Sequence, residues 1–188
     1  MSDPVILIVK TLGSLYVFIV LLRFILQMSR ADFYNPLSQA VVKATQPVLA
    51  PIRRLVPGMG GLDVASLILA FIVYLLVAVI VVYLAGGAQA LNDLPLLILA
   101  AAAGVLYALL DIYFWAMVIS VILSWVAPQA DHPAARLVFQ ITEPVYGLCR
   151  RVIPPLGGLD LSPILVFLVI QLVQSFLVHS VPYMGLVR

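Results

Sequence analysis

Charged side chains are scarce in this sequence: Asp, Glu, Lys and Arg together make up 10% of its 188 residues. A soluble domain usually carries about 25% charged residues, because most of its surface must be solvated. Hydrophobic residues reach 64%, and the mean hydropathy is +1.19. One water-soluble core of this size cannot hide so much apolar surface, so the composition indicates a membrane protein.

Other scarcities exclude further classes of protein. The single cysteine, Cys149, excludes an intramolecular disulfide. A net charge of +2 is too small to indicate nucleic-acid binding. The two histidines, His132 and His179, are predicted on opposite sides of the membrane. The sequence has no metal-ligand cluster, nucleophile–base pair or phosphate loop. We therefore expect neither an enzyme nor a cofactor.

Four long apolar stretches predict four membrane-spanning helices, at about 5–28, 62–85, 95–126 and 161–181. The third stretch is too long for one perpendicular helix and too short for two, which predicts one tilted or extended helix. Lys10 interrupts the first stretch, and no small-residue cleavage site follows it. We therefore expect a retained helix rather than a signal peptide.

The chain also repeats itself. A shift of 97 residues aligns its halves without a gap and matches Pro, Gly, Arg and Asp residues in the same order. The matched residues include the double arginines and the aspartates that follow them: Arg53, Arg54, Asp63, Arg150, Arg151 and Asp160. We predict an all-α membrane protein of two tandem, parallel copies, 1–88 and 89–188, each with two spanning helices.

A polar, proline-containing segment separates the two spanning helices of each copy. Its apolar residues recur at helical spacing, which predicts amphipathic helices at about 36–55 and 133–152. Asn35 is the expected cap of the first, with Pro36 at its first position. Such helices lie in the membrane interface, with basic side chains toward anionic headgroups. Whether they also form a docking surface for a cytoplasmic partner, or only connect the spans, stays open.

Two features of these segments carry further predictions. Pro47 and Pro144 disfavour helix at the preceding residue, so we expect a kink or a stop there. Seven of the ten lysines and arginines lie in these two segments, and the turn between the copies holds none. By the positive-inside rule the double arginines face the cytoplasm and both termini face outward, although Arg188 is a contrary charge.

The double arginines have two interpretations. Each pair lies close enough along the chain to bind the aspartate of its own copy, or a lipid phosphate, through the planar guanidinium. Alternatively the arginines only enforce topology. Asp63 and Asp160 stand where the next spanning helix begins, so they can cap its free amide groups.

The second copy resembles the signature of the YggT family of bacterial and plastid membrane proteins. The resemblance lies in Glu143-Pro144 and in the run RRVIPPLGGLDLSP at 150–163. The first copy departs from it, with Gly58 in place of the second proline and VAS at 64–66 in place of LSP. The tandem layout covers most of the chain and also fits.

The resemblance implies a bacterial inner-membrane protein without catalytic residues. Family members are linked with osmotic stress and potassium balance, and relatives with cell division, nucleoid distribution or plastid cytochrome maturation. We therefore expect a non-enzymatic protein acting through partners at the cytoplasmic face. These partners include anionic lipid headgroups and an unidentified protein. The alternative is an oligomer that lets potassium or an osmolyte permeate.

Three charged residues interrupt the apolar stretches, where charge is costly. Arg23 lies near one end of its helix and is expected to snorkel out of the membrane. Lys10 is level with Tyr107 of the third stretch, one turn from Asp111. We predict an ion pair between Lys10 and Asp111, with a proton or cation relay as the functional alternative.

Small residues recur four apart in the third stretch and predict a close-packing seam, either internal or between subunits. They are Ala100, Gly104, Ala108, Ala116, Ser120 and Ser124.

Overall fold

The structure of the protein, a computed structural model, describes residues 4–56, 58, 61–86, 92–126, 131–152, 160 and 162–187. Within these residues the fold is α-helical. The helices are α1 (Pro4–Met28), α2 (Pro36–Leu55), α3 (Val64–Gly86), α4 (Leu94–Val126), α5 (Pro133–Val152), α6 (Ser162–Ser180) and α7 (Met184–Val187).

Four of these helices, α1, α3, α4 and α6, are long and apolar enough to cross a membrane. The chain is thus an all-α membrane protein with an amphipathic helix between the two spans of each copy. The 33 residues of α4 form one continuous helix, as predicted. At about 1.5 Å per residue, α4 is roughly 50 Å long, so it must tilt or project from a hydrocarbon core of about 30 Å.

Helix α4 is the centre of the bundle, in contact with α1, α3, α5 and α6. Its small residues lie mainly inside the protein: Ala100, Gly104, Ala116 and Ser120 are buried. A Cβ atom added at Gly104 would lie 2.1 Å from Cζ of Tyr74 on α3. The seam therefore packs helices within one chain, and Gly104 leaves the space that the ring of Tyr74 occupies.

The amphipathic helices begin with equivalent caps. Oδ1 of Asn35 accepts a hydrogen bond from the backbone N–H of Leu37 at 3.0 Å, which confirms the predicted cap. In the second copy the equivalent residue is His132, whose Nδ1 accepts from the N–H of Ala134 at 3.2 Å. A histidine is an uncommon cap, so composition alone did not predict it.

Of the expected kink or stop at the prolines, the stop does not occur. Helix α2 continues through Pro47 and Pro51 to Leu55, and α5 continues through Pro144 to Val152. All three prolines are exposed, so carbonyls that lose a backbone partner can bond to water instead. Packing of the opposite face of the helix outweighs the local preference of the residue before proline.

The turns between each double arginine and the next spanning helix lie partly outside the described residues. Gly61 is described and has a φ of 85°, a left-handed conformation that glycine adopts without strain. Gly60, Gly157 and Gly158, the other matched glycines of these turns, fall outside the described residues.

Candidate functional site on the double-arginine side

Asp63 lies at the start of α3 and is only 2% exposed. Nη2 of Arg53 donates a hydrogen bond to Oδ2 of Asp63 at 2.5 Å, and the hydroxyl of Ser66 donates to the same oxygen at 2.5 Å. The first arginine of the pair therefore fastens the end of α2 to the beginning of α3.

A second arginine reaches the same carboxylate from α1. Nε of Arg23 lies 3.6 Å from Oδ2 of Asp63. Nη1 of Arg23 donates to Oγ1 of Thr45 at 2.7 Å and to the carbonyl of Val42 at 3.2 Å. Nη2 donates to Oε1 of Gln46 at 2.8 Å. Arg23 thus joins α1, α2 and the start of α3.

The expectation that Arg23 snorkels out of the membrane is wrong. It is only 6% exposed, and its charge is neutralised and hydrogen-bonded within the protein. Snorkelling is required only where the protein supplies no partner for the charge. Burial by itself raises the pKa of Asp63, but hydrogen bonds from Arg53 and Ser66 and the charges of both arginines hold it below its usual value. Asp63 is therefore ionised.

The second copy has a related but more exposed arrangement. Nε of Arg150 donates to Oδ2 of Asp160 at 2.9 Å, and its Nη1 donates to Oε1 of Glu143 at 2.9 Å. Oδ1 of Asp160 accepts from the backbone N–H of Ser162 at 2.9 Å, which caps α6. Hydrogen bonding by Ser162, and then by Arg150, lowers the pKa of Asp160.

The two copies fill the space around Arg23 differently. By the 97-residue offset, Arg23 corresponds to Ser120 and Leu49 corresponds to Tyr146. The hydroxyls of Ser120 and Tyr146 share a hydrogen bond at 2.8 Å and are buried. The first copy thus has a long residue on α1 and a shorter one on α2 where the second copy has a short residue on α4 that bonds to a tyrosine on α5.

The two members of each double arginine have different environments. Arg53 and Arg150 form ion pairs with the aspartates of their own copies. Arg54 and Arg151 are exposed, and within the described part of the chain neither forms an ion pair. The first arginine of each pair is thus held inside the fold, while the second is presented on its surface.

Lys10 and Asp111 line one cavity between α1, α3 and α4, with a volume of about 190 Å³. Ser14, Tyr74 and Tyr107 also contribute to its walls. Among the described residues, the ion pairs at 4.0 Å or less include none between Lys10 and Asp111. The structure brings the two residues to the same cavity, and their pairing stays a prediction.

Hydrogen bonds also join the two copies on the double-arginine side. Nδ2 of Asn35 donates to the carbonyl of Pro133 at 2.8 Å. The backbone N–H of Asp32 donates to Oε1 of Gln140 at 3.0 Å. Reasoning from sequence missed these contacts and the role of Arg23. For Arg23 a signal existed, since its exchange for Ser120 is matched by the exchange of Leu49 for Tyr146.

Comparison with known proteins shows which family the sequence resembles. The family model CCB3/YggT matches twice, at residues 2–84 and 99–181. An uncharacterized protein of Pseudomonas aeruginosa is 48% identical, over 98% of this chain and 93% of its own length. An uncharacterized protein named YggT from Escherichia coli K12 is 34% identical, over 89% of this chain and 85% of its own.

A plant protein matches a shorter part. The chloroplastic YlmG homolog protein 2 of Arabidopsis thaliana is 41% identical over 66 residues, which are 35% of this chain and 26% of that protein. No solved structure matches the chain.

Proposed function

Because the chain belongs to the CCB3/YggT family and folds as a membrane protein with two amphipathic helices, we propose that it is a non-enzymatic accessory protein of the bacterial inner membrane. It supports osmotic and ion homeostasis, or membrane-protein assembly and cell division, through protein partners. In this proposal the double-arginine side faces the cytoplasm and both termini face outward.

The proposal rests on one observation: the two arginines of each pair have different roles. Arg53 and Arg150 hold α2 and α5 in place, which leaves Arg54 and Arg151 as exposed cations on a fixed surface. Exposed apolar side chains lie close by along both helices, with Leu55 84% and Leu148 62% exposed. A surface that combines arginine with exposed apolar residues suits protein recognition, because arginine is enriched in interfaces.

The cavity that holds Lys10 and Asp111 favours the alternative, an oligomer that lets potassium or an osmolyte permeate. It places two charged side chains, Lys10 and Asp111, between spanning helices, and a permeation pathway requires polar groups there. The described cavity lies between α1 and α3 of the first copy and α4 of the second. It does not surround an axis that relates the two copies. We therefore rank permeation second.

Replacement of exposed arginines tests the accessory role. In a strain that depends on this protein for growth in high salt, R54Q/R151Q should fail to restore growth while its membrane abundance and unfolding midpoint stay normal. K43Q is the matched control, since Lys43 is also an exposed cation on α2. Full rescue by R54Q/R151Q would show that the exposed arginines do not recruit a required partner.

Potassium flux in proteoliposomes separates the two functions. The accessory proposal predicts no flux above that of empty liposomes from folded, unidirectionally inserted protein. Flux that falls when Asp111 is changed to Asn would instead identify the Lys10–Asp111 cavity as part of a pathway. R54Q/R151Q serves as the control there, because these residues lie outside that cavity.

A further inference from the structure

A second cavity lies between the end of α1 and α2, with a volume of about 450 Å³. Three arginines line it: Arg23, Arg30 and Arg53. The only carboxylate bonded to these arginines, among the described residues, is that of Asp63, so two positive charges are not neutralised. None of the described residues that line the cavity is acidic. Its electrostatic field therefore favours an anion.

Ser38 gives this cavity a hydroxyl that lacks a partner. The residue is 3% exposed and lines the cavity, and its buried Oγ has no hydrogen-bond partner within the described chain. Buried polar atoms are nearly always hydrogen-bonded, and each exception requires an explanation. Rotation about χ1 would turn this hydroxyl toward the cavity, where an oxygen atom of a bound anion would accept its hydrogen bond.

Arg30 occupies a backbone position that suits glycine better. Its φ is 51°, directly after α1. Its N–H donates to the carbonyl of Gln27 at 3.1 Å, and the N–H of Ala31 donates to that of Leu26 at 2.9 Å. These two bonds form a Schellman motif, in which Arg30 holds the left-handed position that is usually glycine. An arginine is less stable there than glycine, which makes its side chain a candidate for a functional role.

The second copy lacks the same set of residues. At the positions equivalent to Arg23, Arg30 and Ser38 the sequence has Ser120, Ala127 and Ala135. Repeat architecture therefore does not require these side chains. The set of side chains that makes this cavity cationic is therefore particular to the first copy.

The walls of the cavity indicate which kind of molecule contains the anionic group. Leu26, Phe33 and Val42 contribute apolar surface beside the arginines. Phe33 packs edge-to-face on Tyr34, which is 87% exposed, and exposed aromatic residues at the end of a spanning helix mark the headgroup level of a bilayer. A free phosphate would leave the apolar walls without a partner.

We propose that this cavity binds the phosphodiester of an anionic membrane lipid, one molecule per chain. The guanidinium of Arg30 and the free nitrogens of Arg53 donate to the phosphate oxygens, since arginine matches phosphate geometry. The hydroxyl of Ser38 donates to the same group, and the apolar walls hold the glycerol and the first acyl carbons. This site does not depend on the proposed docking role of Arg54 and Arg151.

The test is a lipid titration of the full-length protein in detergent. Phosphatidylglycerol, phosphatidylcholine and inorganic phosphate are added separately, with the unfolding midpoint and native mass spectrometry as readouts. We expect phosphatidylglycerol to bind with one-to-one stoichiometry and to raise the midpoint. Phosphatidylcholine and inorganic phosphate should do neither at the same concentrations.

R30G is the decisive variant, because glycine relieves the backbone at this position while removing the charge. Its midpoint without lipid should equal or exceed that of the wild type, and its affinity for phosphatidylglycerol should fall about tenfold or more, as the loss of a charge-assisted hydrogen bond predicts. S38A should weaken binding in the same direction. R151Q removes one exposed arginine from the other copy and should bind normally.

Three results would overturn the proposal. Equal binding of phosphatidylcholine would show that the phosphodiester alone, without net negative charge, is sufficient. Unchanged affinity in R30G would show that the lipid binds elsewhere. Saturation by inorganic phosphate at the concentration that phosphatidylglycerol requires would assign the cavity to free phosphate rather than to a lipid.

Discussion

Arg23 of α1 and Ser120 of α4 occupy the same position in the two copies, and both are buried against the amphipathic helix that follows. Only Arg23 brings a charge. The first copy therefore combines two arginines with one carboxylate, and the second combines Arg150 with the carboxylates of Glu143 and Asp160. The two sites thus have opposite net charges on the same side of the membrane.

The serine–tyrosine pair of the second copy can be introduced at the equivalent positions of the first copy, 23 and 49. R23S should destabilise the protein by about 3 kcal/mol, because it removes one partner from the buried carboxylate of Asp63 and leaves a cavity. L49Y added to R23S recreates the serine–tyrosine pair of the second copy and should restore about 1 kcal/mol. Chemical unfolding in detergent measures both. If L49Y is equally harmful with and without R23S, the two positions are not coupled.

The two aspartates should differ in their contribution to stability. D63N leaves the buried Arg23 and the half-buried Arg53 without a counter-charge and should cost about 3 kcal/mol. D160N affects a side chain that is 32% exposed and should cost about 1 kcal/mol or less. Each variant is the control for the other, since both remove one carboxylate at the start of a spanning helix. Equal unfolding free energies would contradict the difference in burial.

Acid should destabilise the protein through Asp63. The pKa of this carboxyl is lower in the folded protein than its ordinary value, so folding favours the ionised form. Its contribution is complete above about pH 4, the unfolded value, and is lost as the pH falls below that. The unfolding midpoint should therefore decline more steeply below pH 4 in the wild type than in D63N. Parallel declines would assign acid sensitivity to other carboxylates.

Two glycines should respond in opposite ways to alanine. A Cβ at Gly104 would lie 2.1 Å from the ring of Tyr74, so G104A should destabilise the bundle by about 1–3 kcal/mol through overpacking. A Cβ at Gly147 meets no atom within 4 Å, and alanine is the better helix former, so G147A should stabilise α5 by roughly 0.5–1 kcal/mol. Thermal unfolding distinguishes them, and a neutral G104A would show that the ring of Tyr74 moves aside at little cost.

Lys10 and Asp111 should be energetically coupled through their shared cavity. D111N should destabilise the protein, and replacement of Lys10 as well should partly rescue it, because an unpartnered charge within the membrane is costly. A double-mutant cycle measures the coupling free energy. Strictly additive losses would show that the two residues do not interact.

Patterns set by the bilayer itself could be predicted from the sequence. The length of an apolar run is fixed by hydrocarbon thickness, which explains why the 33-residue α4 was predicted within a residue of its ends. The start of α2 followed from Asn35 and Pro36, whose preferences are local. Continuation of α2 through Pro47 was not predictable in this way, because tertiary packing outweighs the local penalty.

Contacts between distant segments escaped prediction for a physical reason. Arg23 and Asp63 are separated by a whole amphipathic helix, and nothing in the sequence near Arg23 specifies a partner. A lone arginine near the end of an apolar run has two low-energy solutions, exposure at the interface or burial with a counter-charge. Only the fold decides between them, through the position of Asp63 at the start of α3.

Among the described residues, the hydrogen bond that joins Asn35 to Pro133 has no counterpart from His132 to Pro36. Asn35 and His132 each cap their own helix, but within the described residues only Asn35 also bonds to the other copy, through Nδ2. Two identical chains related by a twofold axis would have to make every such contact twice. A covalent link between the halves removes that restriction. Cut between α3 and α4, this chain should give two unlike fragments that recognise each other in preference to themselves.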